Sequence, residues 1–391
     1  MAMVTEVRPR GRIDRVAATG AVTALVGVAV LPFVVFRANR IVAGTPRSIM
    51  DAGPAGLMLL VFAAAALAAA AAPYLWPALT RRQPLALKLA AAGMFGSAAW
   101  SVGQAAVRLL AGATDIARVS IGAGAWLALV GAAVVEFAAD SQLERGWPRR
   151  ATTVAALVAV ACAALFGGMG QLSIVREYQS QASFFWLYVG QHLTLAGAGL
   201  AFGLLLGIPL AVAATRWPGV RDVTLGVVGV IQTVPSVALL GLLVIPLAAA
   251  GLPGIGSLPA IIALTLYSLL PIVRNTYIGL SEVDPAVVDA GRGMGMSSTQ
   301  LLLRVEAPLA LPLAIEGVRA AAVLVIGIAA ITAFVGAGGL GVFVFLGIGQ
   351  VADDLVLLGA VPIVVLALLA DTGLRALAAR AVSPGIRGGT T

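Results

Sequence analysis

The chain has 391 residues, 60% of them hydrophobic and only 11% charged, and its mean hydropathy is +1.02. No water-soluble core-and-surface arrangement of this length accommodates so many apolar side chains. A soluble enzyme, a nucleic-acid-binding module and a secreted disulfide scaffold are excluded, and the formal charge of +8 has to be sorted by loop before it says anything about partners.

Apolar runs long enough to cross a hydrocarbon core of roughly 30 Å lie at about 17–36, 54–79, 86–108, 120–139, 151–169, 186–214, 222–249, 258–273, 309–335 and 354–374. They predict an all-α polytopic membrane protein of about ten transmembrane helices. The stretch before the first run carries Arg8, Arg10, Arg12 and Arg15, and the run ends in Val35-Phe36-Arg37. A retained anchor fits that end better than a cleavage site does. With the N-terminus inside, about eighteen basic residues fall on inner loops, Lys88 among them, against about six on outer loops. Both termini are therefore expected in the cytoplasm.

Lys88, the only lysine, follows no glycine loop, so the chain carries no phosphate-binding loop. His192, the only histidine, excludes paired-histidine zinc sites. No metal site and no enzymatic activity are expected. The single cysteine, Cys162, lies inside the fifth run, where a packed core thiol is expected.

Near residue 170 the glycine-rich Gly167-Gly168-Met169-Gly170 gives way to the polar stretch from Arg176 to Gln181. This predicts a five-helix membrane extension over 1–183 and a second five-helix domain over 184–391. Gly199, Gly203 and Gly207, spaced by four, share one helix face and predict close helix contact. Gln232, Thr233, Pro235 and Ser236 interrupt one span, Tyr267 lies in the next, and Asn275 stands near its end. Polar groups and helix breakers at membrane depth are costly unless they line a cavity or pack against protein. These six are candidates for a substrate path, with helix packing as the equal alternative.

The inner loop over 275–308 predicts two short helices. Asp284-Pro285 opens the first, Gly295 ends it, and Ser297 or Ser298 caps the second. An amphipathic helix pair outside the bilayer is suited to a groove in another protein. Asp289-Ala290-Gly291, three residues to Gly295, nine residues to Val305, then Ala307-Pro308 resembles the EAA loop of ABC-importer permeases. That consensus is Glu-Ala-Ala, three residues, Gly, nine residues, Ile-x-Leu-Pro. The chain departs from it at Asp289, Gly291, Val305 and Ala307, and Gly291 should loosen the helix most. Ile231 to Leu239, Pro271 to Tyr277, Ala290 to Met296 and Gly336 to Gly341 resemble the osmoprotectant branch, which takes glycine betaine, choline or carnitine. The five extra N-terminal helices resemble the long form of such permeases.

The resemblance implies that the C-terminal five helices form a type I ABC-importer permease core in a bacterial inner membrane. It implies a dimer with a second permease copy or a paralogue, an extracytoplasmic substrate-binding protein, and a separate ATPase subunit that binds ATP and Mg. This chain would hold no cofactor. Asp289, Ala290, Gly291, Arg292, Gly295, Val305, Ala307 and Pro308 would then couple to the ATPase. An ABC importer of an amino acid is one alternative. Another is an ion-coupled secondary transporter using Glu136, Glu316 or Asp371, although each lies near a helix end where snorkelling costs little, and Glu316 can pair with Arg319.

Overall fold

The computed structural model describes residues 13–39, 42–143 and 147–381. Arg8, Arg10, Arg12, Arg40, Arg145 and Arg387, which entered the count of loop charges, lie outside the described residues. The chain divides into two compact units, Met1–Ser180 and Gln181–Thr391.

In the first unit, α1 (Arg15–Val30) starts at Asp14, whose carboxylate accepts from the Ala17 amide at 3.0 Å. The run expected to continue to residue 36 stops at Val30. Pro32 cannot extend a helix, and the β-branched and aromatic residues after it favour an extended backbone. The strand β1 (Val34–Arg37) forms there, flanked antiparallel by β2 (Thr45–Arg47) and β3 (Arg118–Ile121). This small sheet was not expected. α2 (Pro54–Leu75), α3 (Gln83–Leu110), α4 (Ala123–Gln142) and α5 (Trp147–Phe166) complete the unit.

Its core is built mostly of alanine, so helix backbones approach closely. A methyl group at Gly131 of α4 would lie 2.4 Å from the Gly20 carbonyl of α1. Lys88, expected as an inner-loop charge, is instead fully buried in α3. Its Nζ lies 2.5 Å from Glu136 and 2.5 Å from Asp140, one turn apart on α4. Cys162 is exposed on α5 rather than packed; a thiol is apolar enough to face lipid.

The second unit takes α6 (Ser173–Arg216) from Gln181 onward, then α7 (Pro218–Thr233), α8 (Ser236–Ala249) and α9 (Ser257–Ser281). After these come α10 (Pro285–Gly293), α11 (Ser298–Leu301), α12 (Ala307–Ala329), α13 (Gly341–Gly349) and α14 (Asp353–Ala381). The glycine stripe of α6 is a packing seam. Methyl groups at Gly199, Gly203 and Gly207 would lie 2.5, 1.9 and 2.9 Å from Leu264, Ser268 and Ile272 of α9, three residues that repeat the same spacing.

Among the described residues, seven helices are long and apolar enough to cross a membrane, and α7 with α8, bent by 106°, make an eighth as one broken span. α1 and the apolar part of α5 answer the remaining predicted runs but are shorter. At 16 residues, α1 is about 24 Å long against a core of roughly 30 Å. The all-α polytopic class is as expected.

Candidate functional site in the broken span and the loop helix pair

Two places in the second unit carry the residues singled out in the sequence. The first is the break between α7 and α8. Pro235 disfavours helical geometry at the residue before it, and Val234 accordingly adopts φ −71°, ψ 127°. Opposite the break, Pro271 sits inside α9. A proline in a helix has no N–H for the carbonyl four residues back, here that of Tyr267. Gln232 supplies the missing donor, its Nε2 bonding the Tyr267 carbonyl at 2.9 Å. The Tyr267 hydroxyl in turn donates to the Val234 carbonyl. Two helix irregularities thus satisfy each other, with Tyr267 only 5% exposed.

The other candidates flank this lock. Pro235 is the N-cap of α8 and Ser236 its first residue. Exposed Thr233 turns its hydroxyl back to the Val230 carbonyl at 2.7 Å. Asn275 does not join the cluster. It lies eight residues further along α9, about 12 Å away, where its Nδ2 donates to the Pro271 carbonyl at 2.8 Å. Substituting Tyr267 by Phe leaves the Val234 carbonyl without its donor, an expected cost of about 1 kcal/mol. Thermal unfolding of the detergent-solubilised protein checks this, and an unchanged Tm would show the hydroxyl to be idle.

The second place is the loop pair. Asp284 caps α10, accepting from the Ala286 amide at 2.8 Å, and Pro285 occupies the first turn. Gly295 takes a left-handed φ of +78° and lets the Met296 amide return to the Gly291 carbonyl at 3.2 Å. Ser297, rather than Ser298, caps α11 in a reciprocal box with Gln300. Gly291 does not break α10. It is buried, and a methyl group there would lie 2.7 Å from Leu301 Cδ1, so the small residue lets α10 close on α11. Asp289 and Arg292 form an exposed ion pair at 3.1 Å beside exposed Ala290. Such a pair adds little stability and leaves both charges open to a partner.

The second loop helix is not separate, contrary to expectation. α11 passes through a π-helical stretch, Leu302–Glu306, directly into α12. Val305 lies in that stretch, and Ala307 and Pro308 in the first turn of α12. The stretch closes with the Ala307 amide donating to the Leu302 carbonyl, just before Pro308, which has no amide to give, and the apolar sequence that follows takes up the helix without a loop. Nothing in the sequence marked Glu306 or Arg216 as partners. Arg216 Nη1 bonds Glu306 Oε1 at 3.2 Å, and Nη2 bonds Oε2, a two-pronged contact across 90 residues of chain.

The three carboxylates considered for ion coupling are all engaged in ion pairs. Glu136 holds Lys88; Glu316 lies 2.5 Å from Arg319, which also binds Asp371; and Asp371 meets Arg375 at 2.9 Å. A secondary transporter is not favoured. Among the described residues no group of three or more potential ligands could hold a metal.

Residues 199–383 match the family model described as the binding-protein-dependent transport system inner membrane component. Residues 14–175 match that of the N-terminal domain of the ABC transporter permease YehY. The carnitine transport permease protein OpuCB of Listeria monocytogenes is 40% identical over 55% of this chain and 96% of its own length. The osmoprotectant import permease protein OsmW of Salmonella typhimurium is 42% identical over 50% of this chain and 91% of its own. In fold, the inward-facing MetNI methionine ABC transporter is similar at a TM-score of 0.47 and 22% identity, covering 52% of this chain and 99% of that one. With a relative of this identity matched over nearly its whole length, the chain belongs to the inner-membrane components of binding-protein-dependent transport systems and is an ABC-importer permease.

Proposed function

We infer that this permease imports glycine betaine or a related quaternary-ammonium osmoprotectant, delivered by an extracytoplasmic binding protein and driven by a separate ATPase subunit that binds ATP and Mg. The observation that carries the reading is the loop pair. Its sharp turn falls at Gly295, in the family spacing from Asp289 to Pro308, and its second helix runs unbroken into a membrane span. An ATPase seated on the Asp289–Arg292 face pushes on a helix, not on a slack loop. The substrate class follows the relatives, which are named for carnitine and osmoprotectants and, in Bacillus subtilis, for glycine betaine, carnitine and choline together.

In this reading residues 184–391 are the permease domain, which pairs with a second copy or a paralogue, and residues 1–183 are a membrane extension. Both termini are cytoplasmic, on the charge bias of the loops. Gln232, Thr233, Pro235, Ser236 and Tyr267 border the substrate path at the only bent span among the described residues. Asn275, bonded within α9, is left outside it.

The test is uptake of labelled glycine betaine, choline, carnitine and methionine by the complex purified through the permease and reconstituted in liposomes. ATP-dependent uptake of a quaternary ammonium is expected, and uptake of methionine alone would overturn the substrate assignment. In the same assay Gly295→Val is expected to lose most of the uptake. A left-handed backbone costs an L-residue about 1–2 kcal/mol, which straightens the turn and misplaces α10. Full uptake by this variant would remove Gly295 from the coupling machinery.

A further inference from the structure

The path from the loop into the membrane contains a part-buried polar contact with a defined direction, that of Arg216, whose side chain is 35% exposed, with Glu306. Glu306 closes the π-helical stretch, and its side chain is 7% exposed. Arg216 is the last residue of α6. A guanidinium that meets a carboxylate with two parallel bonds fixes orientation as well as distance. Beside this contact a cavity of about 540 Å³ is lined by Ile208 and Val212 of α6, by Thr276 of α9, by Leu302 and Leu303 of the π-helical stretch, and by Ala310 of α12. Apolar walls across a void can slide at little cost, whereas a forked ion pair cannot.

The π-helical stretch is the other unusual element. Its hydrogen bonds span one residue more than those of an α-helix, and single π turns are frequent at functional positions. Here the turn lies between the capped loop helix and α12, with the cavity beside it as room for the backbone to change register. A push on α10 and α11 passes through the stretch to Glu306, and from Glu306 its charge-assisted connection runs to Arg216 at the end of α6.

We propose that the Arg216–Glu306 pair is a positioning pair that transmits displacement of the 284–308 loop to α6, and so ties nucleotide turnover to substrate movement. This rests on the docking of the ATPase at that loop. Neither residue contacts the ATPase or the substrate in this assignment; both act through the helices they join.

The experiment uses the native complex, purified through the tagged permease with its own ATPase and reconstituted with whichever labelled betaine the wild type imports. ATP hydrolysed per substrate imported is measured for Arg216→Lys, which keeps the charge but not the fork, and for Glu306→Gln. Both are expected to raise that ratio roughly tenfold, the scale set by losing a charge-assisted hydrogen bond, with the ATPase still co-purifying at the wild-type stoichiometry. The exchanged pair Arg216→Glu with Glu306→Arg is expected to bring the ratio back toward the wild type. A merely structural contact would lower uptake and hydrolysis together, in proportion to folded protein, and leave the ratio unchanged; that outcome overturns the proposal. The docking reading fails separately, if the ATPase co-purifies undiminished after residues 285–301 are replaced by a glycine-serine linker.

Discussion

Replacing Lys88 by Met is expected to destabilise the first unit by about 3 kcal/mol, the lower end of what losing one partner of a buried ion pair costs. Lys88 is fully buried, while its partners Glu136 and Asp140 keep 20% and 27% side-chain exposure. Both lie in the last two turns of α4, where snorkelling to the membrane surface offsets part of the loss on their side. For a unit of this size the shift corresponds to roughly 6–12 °C in Tm. Adding Glu136→Gln and Asp140→Asn to Lys88→Met should recover most of it, because a fully neutral site has no stranded charge. Thermal unfolding followed in detergent decides the matter: equal Tm values for wild type and Lys88→Met would mean that the cluster contributes no stability.

Gly199→Leu is expected to separate α6 from α9. The first side-chain carbon at this position would already lie 2.5 Å from Leu264 Cβ and 3.3 Å from the Leu264 carbonyl carbon. Neither atom can rotate away, since one is fixed to the α9 backbone and the other belongs to it. Overpacking of a core typically costs about 1–3 kcal/mol. Here the cost should sit at or above the top of that range, because lifting α6 at Gly199 also opens the contacts of Gly203 and Gly207 one and two turns further on. Gly197→Leu is the matched control on the same helix, as nothing lies within 4 Å of its added carbon. The expected result is loss of monodisperse, folded protein for Gly199→Leu and retention for Gly197→Leu. Equal behaviour of the two would dissolve the seam as an explanation.

That seam shows which parts of the protein are legible in one sequence. Spacing by four on a helix defines a face without reference to its partner, so Gly199, Gly203 and Gly207 announce a contact before α9 is known. The caps of the loop pair are equally local, since Asp284-Pro285, Gly295 and Ser297 each act on backbone within a few residues. Contacts made across the chain carry no such signal. Lys88 looks like a loop charge because its partners lie 48 and more residues away on another helix, and Glu306 looks unremarkable because Arg216 is 90 residues earlier. The strand at Val34–Arg37 is lost for a related reason: its apolar residues extend a helical run, and only pairing with β2 and β3 gives them a sheet to join.

The candidate path was legible as a set of residue types but not as a mechanism. Gln232 and Tyr267 stand out because they are polar or aromatic at membrane depth, a property shared by groups that line a pore and groups that mend a helix. Their bonds to the Tyr267 and Val234 carbonyls make helix repair their first duty.

That repair couples two positions on different helices. Because Pro271 withholds the amide that the Tyr267 carbonyl needs, position 232 inherits an obligation that belongs to a different helix. Glutamine there reaches across 35 residues of chain to meet it. With proline at 271, the Tyr267 carbonyl stays satisfied only while position 232 carries a side chain that donates at that distance. With an ordinary residue at 271, the amide would return and the glutamine would be released from its duty. The two positions answer to one hydrogen-bond requirement, although each alone looks like an unrelated polar or helix-breaking intrusion into a membrane span.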